Sequence, residues 1–174
     1  LSKTIIVLIF VNVSVLYSQT ENDSLIFWNH NRYLKWADFR GEKDLLNFPG
    51  RAAVSYFGLE FIPNPDLESG YEVYEVRTYF DKFKSFYVDT NQFLLGHEQC
   101  HFDIYGLLTC KIHCAVENLK TDEIMDSSLF FSICDSILIQ GEKLHVLYDF
   151  ETNYGKNRQE QVKWTLKINK EISL

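Results

Sequence analysis

Residues 91–120, NQFLLGHEQCHFDIYGLLTCKIHCAVENLK, form the longest uninterrupted pattern in the chain. The stretch contains no proline and is apolar on most sides of a helical projection, which is typical of a buried α-helix. Residues 25–90 before it are rich in aromatic and β-branched residues, and the residues after it predict two further helices. The sequence therefore predicts an α+β domain: a small antiparallel-rich sheet followed by a buried helix and two more helices.

Two segments before the long helix predict the main strands. They are AAVSYFGLEFI (52–62) and YEVYEVRTYF (71–80), both rich in residues that favour strands. Residues 63–65, Pro-Asn-Pro, predict a loop after the first segment. KSFYV (84–88) predicts another strand, and we expect it to form a hairpin with residues 71–80 around Asp81-Lys82.

The chain after the long helix predicts two more helices. Thr121 has the properties of an N-cap, and the helix that follows it is expected to run to about Tyr148. DFETNYGKN (149–157) predicts a loop. RQEQVKWTLKINKEI (158–172) predicts a final amphipathic helix.

The composition and the N-terminal sequence indicate where the protein is located and which classes of partner it can bind. The 174 residues fit one domain, and a net charge of -7 argues against general nucleic-acid binding, which requires a basic surface. Lys3, followed by the apolar TIIVLIFVNVSVLYS (4–18), predicts a signal peptide over residues 1–19, with an uncleaved anchor as the alternative. Residues 20–174 would then be one secreted or periplasmic domain with no stable membrane insertion.

The four cysteines leave two interpretations open. An even number in an exported protein permits disulfides, whereas cysteines in apolar helical stretches are also typical of buried free thiols. A zinc site built from cysteines is disfavoured because the chain has no C-x-x-C pair. The residues concerned are Cys100, Cys110, Cys114 and Cys134.

The segment HEQCH, residues 97–101, has the spacing of a metal site. A helix turns about 100° per residue, so His97 and His101 share one face and can bind one metal ion. Glu98 lies beside them and can accept a proton from a water on that metal. His-Glu-x-x-His on a helix is the signature of zinc metalloproteases. The sequence therefore predicts Zn²⁺ on His97 and His101, with Glu98 as the catalytic general base.

A catalytic zinc normally takes a third protein ligand, which the motif does not supply. His113 is unsuitable because it lies about 18 Å beyond His101 along a continuous helix. If the chain reverses near Thr121, the second helix returns level with His101 around residues 141–145 or just beyond. The side chains brought into range are Glu142, His145, Asp149 and Tyr154.

Three segments resemble a bacterial family. They are LKWADFRGE (34–42), LLGHEQCHFDI (94–104) and YDFETNYGKNRQEQVKW (148–164). They are similar to the domain-of-unknown-function 922 family, whose members are predicted to be secreted zinc-dependent proteases. The resemblance implies a zincin-like fold and the same roles for the residues of the HEQCH segment. The family tends to place a histidine two residues after the threonine of YD-x-x-T, where this chain has Tyr154.

Two functions follow from these observations. The first is a secreted zinc-dependent metallohydrolase, most simply a peptidase that acts on a peptide or protein substrate, with Tyr154 as third ligand and His145 or Asp149 as alternatives. The second is a degraded zincin scaffold that serves as a binding or structural module, which the replacement by Tyr154 motivates. Arg158 is a candidate for stabilising a developing oxyanion.

Overall fold

The computed structural model describes residues 23–65, 72–121 and 127–173; the predicted signal peptide, residues 1–19, lies outside them. The described elements are β1 (Leu25–Phe27), a short 3-10 helix (Trp36–Asp38), β2 (Ala53–Val54), β3 (Phe57–Pro65), β4 (Glu72–Asp81), β5 (Phe86–Tyr87), α1 (Gln92–Thr121), α2 (Ser127–Thr152) and α3 (Arg158–Ile172). This order confirms the predicted α+β class with a small antiparallel sheet and three helices. Over the described ranges, no helix is long and apolar enough to cross a membrane.

The main sheet has three antiparallel strands in the order β1-β4-β3, and β2 pairs with β5 in a second, two-stranded sheet. Alternate residues of β4 are buried, as the period of two in a strand requires: Val76, Thr78 and Phe80. Thr78 Oγ1 donates to the carbonyl oxygen of Tyr105 at 2.9 Å, and Val76 packs in one cluster with Ile112. This face of the sheet therefore lies against α1.

Three sequence predictions about the strands are wrong. Residues 52–62 do not form one strand, because the chain leaves β2 after Val54 and enters the main sheet at Phe57. Residues 63–65 belong to β3, an edge strand, where a proline without an N–H can be accommodated. The chain does turn after Asp81, but β5 pairs with β2 instead of forming a hairpin with β4.

The three predicted helices are present, but α2 differs from its prediction at both ends. The first helix was predicted over residues 91–120 and is observed as α1, Gln92–Thr121. The last helix was predicted over residues 158–172 and is observed over the same residues as α3. Thr121 is not an N-cap; it is the last residue of α1, and α2 begins at Ser127. The second helix also continues past Tyr148 to Thr152. Asp149 therefore lies on a helix and not in a loop.

Helix α1 is the centre of the domain and is buried on two sides. Towards the sheet, Phe102 packs with Ile26 and Phe80, and towards the other helices Ile104 and Leu107 pack in a cluster with α2 and α3 residues. The α2 and α3 residues of this second cluster are Tyr148, Trp164 and Ile168. This burial holds the HEQCH segment between the sheet and the helical layer.

Trp28 makes an unusually close approach to α1. A Cβ added to Gly106 would overlap the indole ring, so glycine is required for this packing. The indole Nε1 donates to Oδ1 of Asp103 at 3.1 Å, and Nε2 of Gln99 donates to the same oxygen at 2.9 Å. Burial raises the pKa of Asp103, and these two hydrogen bonds oppose the shift. Asp103 therefore ties the N-terminal strand region to α1.

The four cysteines, all within the described residues, are free thiols, which agrees with the second interpretation of their pattern. Burial raises the pKa of Cys100 to about 12 and that of Cys134 to about 11. A thiol with so high a pKa is protonated at neutral pH and is a poor nucleophile. These two residues therefore act as small apolar core side chains.

Candidate metal centre

Three polar side chains converge between α1 and α2. Nε2 of His97 and Nε2 of His101 lie 3.2 Å apart, and Oδ1 of Asp149 lies 3.1 Å from the first and 3.0 Å from the second. Ligand atoms about 2.0–2.1 Å from a tetrahedral zinc are separated from one another by about 3.3 Å. The three atoms thus have nearly the spacing of three corners of such a tetrahedron. Together they form a possible metal-binding triad.

The helices explain why these residues meet. The four-residue spacing on α1 places His97 and His101 on one face, as the sequence indicates. Helix α2 returns along α1, and its residues 145 and 149 reach the level of His101. Asp149 was one of three candidates for the third ligand, and its position follows from the continuation of α2 to Thr152.

Asp149 is electrostatically suited to bind a cation. Burial by itself would raise the pKa of this carboxyl, but hydrogen bonds from His101 and then His97 outweigh burial and hold the pKa well below its usual value. The side chain is 26% exposed, so it lies at the edge of the buried histidines. It is therefore an ionised carboxylate at neutral pH.

His145 contacts His101 on the side away from Asp149. Its Nδ1 lies 2.7 Å from Nδ1 of His101, and the two rings are stacked with centroids 4.9 Å apart. Burial, followed by the proximity of His101, lowers the pKa of His145 to about 3. A neutral His145 can accept a hydrogen bond from Nδ1–H of His101, which leaves the lone pair on Nε2 of His101 to bind a metal. In this structure His145 is a support for His101.

Tyr148 fixes the orientation of both α1 histidines. It is fully buried, its ring stacks on His97 with centroids 4.7 Å apart, and it meets His101 edge-on at 4.8 Å. Its hydroxyl donates to the carbonyl oxygen of His97 at 3.3 Å. These contacts restrict rotation of the two imidazoles, which a metal site requires.

Glu98 faces the same cavity as the triad. The cavity has a volume of about 270 Å³, and its lining includes the triad, His145 and the side chains described next. Glu98 is only 6% exposed, and Oγ of Ser55 donates to its Oε2 at 2.5 Å. A buried carboxylate held by a hydroxyl beside three potential ligands can act as a general base.

The polar lining of this cavity includes three residues that sequence reasoning did not assign to it: Arg51, Ser55 and Tyr105. Tyr105 continues the four-residue row of His97 and His101 along α1, a signal that could have identified it. Glu142 was considered only as a metal ligand; the hydroxyl of Tyr105 donates to its Oε1 at 3.3 Å. Arg51 and Ser55 come from the strand region, and no pattern in the sequence marks them.

Tyr154 lies beside the cavity and is not among the residues that line it. Its side chain is half-exposed, and its ring lies 4.6 Å from the guanidinium carbon of Arg51. It belongs to a left-handed turn after α2, in which Gly155 has a φ of 77° and an added Cβ there would lie 3.0 Å from His97. Arg158, the oxyanion candidate, stacks on Phe93 at 3.6 Å and does not line the cavity either.

No family model, curated protein or solved structure matches this chain. Its function is therefore inferred from the side chains of the cavity and their arrangement.

Proposed function

We propose that the protein is an exported, zinc-dependent hydrolase that cleaves peptide bonds. The observation that carries this proposal is the convergence of His97, His101 and Asp149 within 3.2 Å of one another, with Glu98 on the same cavity. Two imidazoles and one carboxylate are typical ligands of a catalytic zinc, and they leave a fourth position for water. A zincin-like fold and membership of the domain-of-unknown-function 922 family belong to the same proposal.

The polar atoms of the triad fit a cation better than they fit one another. The two Nε2 atoms lie 3.2 Å apart and both face Oδ1 of Asp149. If both nitrogens donated protons to that oxygen, the two N–H groups would crowd each other. A divalent ion among the three atoms removes this conflict, because neutral imidazoles bind it through lone pairs. Asp149 takes the place of Tyr154 as third ligand in this proposal.

The residues of the cavity divide the chemistry among them. Zinc bound to the triad would lower the pKa of a coordinated water to near 7 and polarise a substrate carbonyl. Glu98 would take a proton from that water and pass it to the leaving amine, while Ser55 holds the carboxylate in place. Burial raises the pKa of Tyr105 to about 12, so its phenol keeps its proton and would donate a hydrogen bond to the developing oxyanion in place of Glu142.

Metal content and hydrolysis test this proposal together. The wild-type protein is expected to bind about one zinc per chain by elemental analysis, and His97→Ala is expected to lose it. Glu98→Gln should keep the zinc but hydrolyse a mixture of quenched fluorescent peptides at least about a hundredfold more slowly, because only the base is removed. Full hydrolysis by a zinc-loaded Glu98→Gln protein would contradict the assigned mechanism.

The alternative function is a non-catalytic binding module on the same scaffold. It is favoured by Tyr154, which stands where the family that the chain resembles tends to have a histidine. This alternative predicts that the wild type binds zinc weakly or not at all after supplementation and cleaves no peptide. The same two measurements therefore separate the two functions.

A further inference from the structure

Arg51 is a free positive charge on the cavity of the metal-binding triad. Of the described residues that line this cavity, it alone carries a permanent positive charge, and Glu98, Glu142 and Asp149 are acidic. The side chain is exposed, and no carboxylate within residues 23–65, 72–121 and 127–173 forms an ion pair with it. Among the described residues of the lining, its guanidinium is therefore the group that can pair with an anionic part of a ligand.

Tyr154 holds the Arg51 side chain in position. The guanidinium carbon lies 4.6 Å from the centre of the tyrosine ring, within the range of a cation–π contact. The guanidinium forms no hydrogen bond to residues 23–65, 72–121 or 127–173, so its N–H donors stay available for a planar anion such as a carboxylate. Tyr154 thus supports a cation beside the metal-binding triad.

The backbone at Tyr154 is strained in a way that maintains this contact. Asn153 and Tyr154 have φ values of 48° and 54°, a left-handed conformation that favours glycine and is unfavourable for other residues. The turn is held by Tyr154 N, which donates to the carbonyl oxygen of Asp149 at 2.9 Å. The backbone of Tyr154 is therefore held relative to the end of α2 that supplies Asp149.

We propose that Arg51 binds a carboxylate of the substrate and makes the site selective for peptides with a negative charge next to the cleaved bond. This inference rests on the proposed hydrolase function. The cavity of about 270 Å³ is small compared with typical ligand pockets of roughly 300–1,000 Å³, so a group that reaches Arg51 also lies near the triad. The carboxylate is either the C-terminus of the peptide or an acidic side chain.

The test measures binding, so that its outcome does not depend on hydrolysis. The zinc-loaded full chain with Glu98→Gln is titrated by calorimetry with two matched pairs of probes. N-acetyl-trialanine as free acid and as amide reports a terminal carboxylate, and N-acetyl-Ala-Asp-Ala-amide against its Asn analogue reports a side-chain carboxylate. Arg51→Gln is the test variant. Arg158→Gln is the matched control, because Arg158 also stacks on an aromatic ring, Phe93, but does not line the cavity.

In one of the two pairs, the acidic probe is expected to bind about tenfold more tightly than its neutral analogue. This is the difference that a charge-assisted hydrogen bond to a solvent-exposed arginine predicts. Arg51→Gln should abolish this preference, and Arg158→Gln should retain it. The pair that shows the preference identifies the source of the carboxylate. Equal binding of acid and neutral probes, or a preference that survives Arg51→Gln through direct contact with the metal, would overturn the proposal.

The same probes distinguish failure of this inference from failure of the proposed function. If the protein with Glu98 intact cleaves peptides but Arg51→Gln leaves the binding preference unchanged, only the carboxylate site is refuted. If the preference depends on Arg51 but no peptide is cleaved, the carboxylate site stands and the hydrolase function is refuted.

Discussion

Oδ1 of Asp149 lies 3.0 Å from Nε2 of His101, although 48 residues separate them in the sequence. The contact joins the C-terminal end of α2 to the N-terminal third of α1. It supplies the third candidate ligand that the HEQCH segment lacks.

Asp149, and not Tyr154, is expected to be the third metal ligand. Asp149→Ala should weaken zinc binding by more than the roughly 10- to 100-fold that loss of a supporting residue costs, because a direct ligand is lost. Tyr154→Phe keeps the ring that stacks on Arg51 and should bind about one zinc per chain. Elemental analysis after dialysis measures both. Loss of zinc in Tyr154→Phe with retention in Asp149→Ala would assign the phenol as ligand instead.

His145 is expected to raise the metal affinity without binding the metal. His145→Phe removes the acceptor for Nδ1 of His101, so zinc affinity should fall by about 10- to 100-fold in a competition titration with a chelator. His145→Gln offers an amide oxygen as replacement acceptor and should lose less. A smaller loss in His145→Phe than in His145→Gln would mean that ring packing, and not the hydrogen bond, is what matters.

Ser55 is expected to control hydrolysis but not metal binding. Ser55→Ala removes the donor to Oε2 of Glu98, a bond to a charged group worth about 1.5–3 kcal/mol, so kcat should fall by about tenfold or more. Ser55→Thr keeps a hydroxyl and serves as the control. Zinc content should be unchanged in both variants. A Ser55→Ala protein with wild-type kcat would show that Glu98 does not need this hydroxyl.

Gly106 is expected to be essential for stability because of Trp28. Gly106→Ala should lower the free energy of unfolding by about 1–3 kcal/mol, since a Cβ there overlaps the indole ring. Gly96→Ala in the same helix is the control: its Cβ would meet only Nε2 of Gln161, at 3.1 Å, and alanine favours helix by about 1 kcal/mol. Urea denaturation compares them. Equal destabilisation would contradict the role of Trp28.

Asp103 is expected to make the protein relatively less stable as the pH rises. Its pKa is raised in the folded state, so its contribution to stability is full below about pH 4, the unfolded value, and is lost as the pH rises through the folded value. Asp103→Asn keeps an oxygen that can accept from Trp28 and Gln99 but carries no charge. The stability of the wild type relative to Asp103→Asn should therefore decrease between pH 4 and pH 7 in urea denaturation. A constant difference would show that Asp103 does not titrate abnormally.

Local patterns predicted much of the architecture. The absence of proline and the apolar character of residues 91–120 predicted α1, and an amphipathic pattern predicted α3. The strand pairing was less predictable, because a two-residue strand such as β5 has almost no periodicity of its own. Whether it pairs with β4 or with β2 depends on contacts between segments that are distant in the chain.

The sequence by itself determined that His97 and His101 would lie together, with Glu98 next to them in the chain, since a four-residue spacing on a helix brings side chains to one face whatever surrounds it. Only the tertiary structure decided which residues complete the site. If a helix begins one residue earlier or later, every side chain after that point is turned by about 100° about the helix axis. Helix α2 begins at Ser127, and not directly after Thr121 as predicted. That offset, and the path of the chain from Arg51 to Ser55, arise from packing over the whole domain, which no local pattern encodes.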